Sequence, residues 1–213
     1  MPDWRRVFLD IKMFAKMGLG GIMPEGQRLP MADLHEMRAW VMASLYWDAS
    51  RDTDALVQEF LSGFYSAQAA PLVLEHMASY ENFVLQTGAK ASPCGCDVMS
   101  DACVTVEVLF TSFTALDTAM TAEAARNQTI VAGRLEALRI SPYYNLMMRW
   151  SEACVYAKKN HVKQWPPLHN KTLGAAVVQW ETDVKRLLSA NALAQEQGWL
   201  ASHRGSAQAC EVV

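Results

Sequence analysis

The chain has 213 residues, of which 51% are hydrophobic and 19% charged, with a formal net charge of −3 and a sequence pI near 5.9. This is a globular balance with enough apolar material for one large domain or two small ones, and it excludes a disordered chain. It also excludes a basic nucleic-acid binder, because such binding depends on Lys and Arg neutralising phosphates.

No apolar run approaches the ~18 residues of a membrane span. The start, MPDWRRVFLD, lacks a continuous apolar h-region and a small-residue cleavage site, so it does not read as a signal peptide, and a soluble protein is expected. Residues Trp4 to Met17 predict a short helix with Val7, Phe8, Ile11, Phe14 and Ala15 on one side. Gly18 stands where a helix C-cap takes a left-handed residue. Leu19 to Met23 predict a short buried strand ended by Pro24 and Gly26. Helix, glycine stop and apolar strand make one αβ step of an α/β protein, and no second strand of that kind follows.

After Pro30 the sequence is helical almost throughout. Met37, Trp40, Val41, Ser44 and Leu45 recur at three- and four-residue steps, as do Leu56, Val57, Phe60, Leu61 and Phe64. Two amphipathic helices with facing stripes are expected, from about Asp33 to Tyr46 and from Asp52 to Gly63. Asp52 is placed to N-cap the second, with Asp54 favoured in its first turn by the helix dipole. A third runs from about Ala67 to Gln86, with Pro71 in its first turn. The Gly-, Pro-, Ser- and Cys-rich stretch Thr87 to Asp101 is the best internal boundary. Beyond it, Val106, Leu109, Phe110, Phe113, Leu116 and Met120 predict a fourth helix. A long fifth is expected from about Ala122 to Lys159, kinked or split at Pro142. A sixth follows from about Thr172 to Gln197, with a frayed tail over Ser202–Val213. The expected fold is mainly α, a bundle of about six helices preceded by the single αβ step. The organisation expected is an αβ remnant over 1–30, helical segments over 31–90 and 91–200, and a tail over 201–213.

Several motifs fall short of chemistry. Gly18-Leu19-Gly20-Gly21 lacks the third glycine and the helix of a dinucleotide loop, and His35-Glu36 lacks the second histidine of a zinc-protease helix, since residue 39 is Ala39. His76, His161, His169 and His203 form no short ligand pair and read as surface or helix-face residues. Among five cysteines, Cys94, Cys96 and Cys103 cluster as the one metal-ligand candidate, but a closed zinc site needs a fourth ligand at usual spacing. No metal and no cofactor are expected. A reduced interior is the simpler reading of an odd cysteine count, with Cys103 a small hydrophobe at a helix start. Asn-x-Thr sites occur at Asn127 and Asn170, the first inside an expected helix. The acidic turn Asp48, Asp52, Asp54 reads as helix capping. Glu25, in a Pro-Glu-Gly turn after the strand, stands where an α/β barrel places active-site groups. Most tryptophans fall on apolar helix faces and read as packing; Trp40 and Trp47 are the candidates for stacking on a sugar ring.

The stretch LHEMRAWVMASLYWDASRDTDALVQEFLSGFYSAQAAPLVLEHM, with MGLGGIMPEGQ before it, resembles the bacterial family catalogued as domain of unknown function 4838. That family is glycoside-hydrolase-like, related to barrel enzymes of the alpha-glucuronidase and hexosaminidase type. The matching residues are Gly18, Gly21, Glu25 and Gly26, then Arg38, Ala39, Trp40, Val41, Leu45, Trp47, Asp48, Asp52, Asp54, Ala55, Leu56, Glu59, Phe60, Gly63, Tyr65, Ala69, Ala70 and Pro71. The resemblance covers residues 5 to 190 and is strongest over 35 to 75. It implies that the αβ step is similar to the last unit of a TIM-type barrel and that a helical region trails it. In the family a barrel carrying most of the site precedes this region. Ser66 stands where the family often has Gly, and Ala49 where Pro follows Asp. Glycoside hydrolysis needs two carboxylates about 5 to 10 Å apart, and this chain offers one, Glu25. The implied function is therefore the helical C-terminal part of a carbohydrate-processing protein, non-catalytic alone, with carbohydrate or a barrel as partner. The alternative is a free-standing helical module that binds a protein through an exposed apolar face.

Overall fold

The structure, a computed structural model, describes residues 4–23, 33–88, 101, 103–162 and 172–187. These form eight helices: α1 (Trp4–Lys16), α2 (His35–Trp47), α3 (Thr53–Phe64), α4 (Ala70–Thr87), α5 (Val106–Ala125), α6 (Thr129–Met148), α7 (Trp150–Lys159) and α8 (Leu173–Leu187). Among the described residues there is no strand. The mainly helical class read from the periodicity is the observed one.

The helix ends follow their local chemistry. Asp52 caps α3, its carboxylate accepting from the Ala55 amide at 2.7 Å. Thr105 caps α5 by accepting from the Val108 amide. Pro71 sits in the first turn of α4, and Gly88 closes that helix at φ +63°. Gly18 ends the α1 segment at φ +73°, a conformation that glycine adopts without a Cβ penalty. The lead into α2 is less comfortable, because Leu34 holds φ +50° while its side chain is buried.

Cross-helix pairs define the packing. His76 meets Ser112, and Ser66 meets Glu123, so α4 and α5 run antiparallel. Phe113 meets Tyr143, and Asp117 pairs with Arg139, which makes α5 and α6 antiparallel as well. Tyr143 donates to the Ala176 carbonyl and Trp180 to that of Ile140, so α8 returns along α6. The array α4–α5–α6–α8 is thus an up-and-down bundle, with α7 against α5 and α6, and α1–α3 closing the other side. One continuous core joins Trp4 and Phe8 of α1 to Trp180 and Val184 of α8.

Several expectations differ from the structure among the described residues. Leu19–Met23 forms no strand: the Leu19 amide turns back to the Phe14 carbonyl at 3.2 Å, the chain bends at Gly20, and among the described residues no strand lies beside it to complete a ladder. The long fifth helix is three: α5 continues to Ala125, Asn127 turns at φ +59°, and the next break falls at Arg149. Asn127 is therefore on an exposed turn rather than inside a helix. Pro142 lies within α6, which runs on through it to Met148.

Candidate functional site

Glu25, Cys94 and Cys96, along with Trp165 and Trp199, lie outside the described residues. Trp40 and Trp47 separate sharply. Trp40 packs against Phe60 with ring centroids 5.8 Å apart and belongs to the α2–α3 seam. Trp47, the last residue of α2, is 92% exposed. Beside it, Asp48 accepts from the Ser50 hydroxyl at 2.6 Å and the Ser50 amide at 2.9 Å, which holds its carboxyl below the usual range. These bonds tighten the α2–α3 turn. The acid turn is built as caps and an Asx turn, with Asp54 paired to Arg5 at 2.7 Å.

A second feature flanks this turn. α1 buries Trp4, Phe8 and Ile11, yet Leu9, Met13 and Met17, at four-residue steps on roughly the opposite face, are exposed. Leu19, Ile22 and Met23 continue the exposed apolar run, with Met23 at 96%. Lys12 ties the helix to the α2–α3 turn by donating to the Arg51 carbonyl at 2.6 Å. A helix apolar on two opposite faces is the pattern of one sandwiched between layers. Here one of the two faces is in solvent.

A third feature was invisible to spacing. His76, read as a surface or helix-face residue, is fully buried. Its Nδ1 lies 2.7 Å from the Ser112 hydroxyl and its Nε2 lies 3.1 Å from the Asp33 carboxylate; the Tyr80 hydroxyl stands 3.5 Å from Ser112. Burial pushes the Tyr80 phenol well above its ordinary range, with the Asp33 charge adding to the shift. Asp, His and Ser in hydrogen-bonded order suggest a nucleophile relay. Ser112 is fully buried in the middle of α5, however, so no acyl group can reach its oxygen from solvent. The network instead ties the lead into α2 to α4 and α5. The only sequence signal for it was a histidine on the same apolar face as Val73, Met77 and Tyr80.

Cys103, offered with Cys94 and Cys96 as a metal ligand, is disulfide-bonded, and so is Cys154. A disulfide sulfur is not the thiolate that binds zinc. The reduced interior and the role of Cys103 as a buried free thiol are corrected by the same observation. Among the described residues, no three His, Cys, Asp or Glu side chains come close enough to hold a metal ion. None of the described helices is long and apolar enough to cross a membrane.

Residues 1–78 match the family described as "Domain of unknown function (DUF4838)". The match contains the strong 35–75 stretch, takes in α1–α3 and ends inside α4. No curated protein and no solved structure matches the chain.

Proposed function

We infer that this chain is the helical part of a glycoside-hydrolase-like carbohydrate-processing protein, and that it docks α1 and the segment after it onto a β-sheet body of barrel type. The observation that carries this reading is the outward apolar face of Leu9, Met13 and Met17, continued by Leu19, Ile22 and Met23. A sheet laid on that face would make α1 a helix between two layers, as in an αβ unit. The apolar residues after Gly18 would then have a strand neighbour for their backbone. Exposed Trp47, beside the same region, is the side chain best suited to stack on a sugar ring at the edge of the joint. Hydrolysis is the work of the docked body, because a glycosidase needs two facing carboxylates.

The test uses the full chain purified alone. Wild type is expected to self-associate and bind an apolar dye, while L9E/M13E/M17E is monomeric with an unchanged melting curve. Aryl glucuronides and aryl N-acetylhexosaminides are expected to survive incubation with either. A wild-type chain that is monomeric, dye-silent and cooperative in melting would overturn the docking and leave the free-standing module. Turnover of either glycoside would overturn the non-catalytic assignment.

A further inference from the structure

α5 is the central helix of the bundle, in contact with α4, α6 and α7. Its lead-in is fastened through Asp101 and Val104 to Arg149, the residue that precedes α7. Arg149, buried between α6 and α7, donates through Nη1 to the Val104 carbonyl at 2.6 Å. The same guanidinium pairs with Asp101 in the lead-in and with Glu152 on α7. Within this clamp Cys103, between Asp101 and Val104, is disulfide-bonded, and Cys154, two residues after Glu152 on α7, is disulfide-bonded too. Both cysteines are partly buried.

We propose that disulfide bonding at Cys103 and Cys154 is a structural lock on the α5 lead-in, and that the protein matures in an oxidising compartment where the lock can form. In each bond two thiols give up two protons and two electrons as the S–S bond forms. The electrons pass to the disulfide of a thiol–disulfide exchange catalyst, which leaves as a dithiol. Cross-linked loops restrict the unfolded chain and so favour the folded one. Such bonds persist in secreted and periplasmic settings and are rare where glutathione keeps thiols reduced. The proposal does not depend on the carbohydrate reading, because none of its residues belongs to α1 or to the segment after it.

The experiment compares the full chain exported to an oxidising periplasm with the same chain made in a reducing cytosol. Each is alkylated under denaturing conditions without reductant, and its labelled cysteines are mapped by mass spectrometry. The exported protein is expected to leave Cys103 and Cys154 unlabelled, and the cytosolic protein to label all five cysteines. The melting temperature of the exported protein is expected to fall by roughly 5–15 °C on reduction. The variant C103A/C154A should melt near the reduced value and ignore reductant. If that variant fails to fold, the reduced wild type supplies the same comparison. Labelling of Cys103 and Cys154 in the exported protein, or a melting temperature indifferent to reductant, would overturn the lock.

Discussion

The Nδ1 of His76 and the hydroxyl of Ser112 lie 2.7 Å apart in the buried interface between α4 and α5. With Asp33 accepting at Nε2, both nitrogens of a fully enclosed imidazole are satisfied. Replacing Ser112 by Ala leaves one of them without a partner where water cannot substitute. S112A should therefore lose about 1–3 kcal/mol of stability. H76F/S112A removes both ends of the bond, so its loss should be smaller than the sum of H76F and S112A alone. Urea unfolding of the four proteins measures the coupling, and strict additivity would show that the hydrogen bond contributes nothing.

Why this network escaped the sequence, while the helices did not, has a physical cause. Helices were legible because their apolar stripes repeat locally: Leu56, Val57, Phe60 and Leu61 are all buried on α3. Asp52 was legible as a cap because a cap bonds three residues away. The partners of His76 lie 36 and 43 positions away, and no local spacing announces them. Helix breaks carry a weaker local signal. Pro142 lacks only one donor, and α6 runs through it, whereas Asn127 ends α5 by adopting a left-handed turn that asparagine tolerates. The cysteine count pointed to a reduced chain because an odd number leaves at least one thiol, but one leftover thiol does not forbid disulfides elsewhere. The exposed Leu9 and Met13 of α1 lie on roughly the opposite face from the buried Phe8 and Ile11, so the single stripe expected there takes in only part of the helix's apolar surface.

The phenols of Tyr65 and Tyr80 are both raised above their ordinary range, chiefly by burial and then by nearby acidic charge, Glu36 and Asp33 for Tyr65 and Asp33 for Tyr80. The unfolded chain loses these protons above about pH 10 while the folded chain keeps them. Stability is thus fully present below that value and is lost as pH rises toward the folded pKa. Each tyrosine should contribute a slope of about 1.4 kcal/mol per pH unit above pH 10. Y65F and Y80F should each flatten the alkaline limb of a stability–pH curve, and an unchanged limb in both would refute the assignment.

Asp52 caps α3 through a 2.7 Å bond at an exposed turn, and among the described residues its carboxylate has no other partner. D52A should cost about 1 kcal/mol, and D52S should recover most of it because a hydroxyl can accept the same amide. Thermal melts distinguish these from D48A, which acts one turn earlier on the Ser50 amide and hydroxyl. If D52S is no better than D52A, charge near the helix start rather than the capping bond is responsible.

Arg149 offers the sharpest asymmetry. Its side chain is almost completely buried, while its partners Asp101 and Glu152 are more than half exposed. R149M removes the buried charge and leaves two carboxylates that water already solvates. What it strands is the Val104 carbonyl, so the expected loss is about 1–3 kcal/mol. D101N/E152Q does the reverse, keeping a guanidinium in the interior and removing both counter-charges. That change should cost about 3–5 kcal/mol, although it touches only exposed groups. Chemical denaturation of the two variants under identical oxidising conditions decides the order. A larger loss in R149M would mean that the carbonyl bond, not the ion pairing, holds the α5 lead-in to α7.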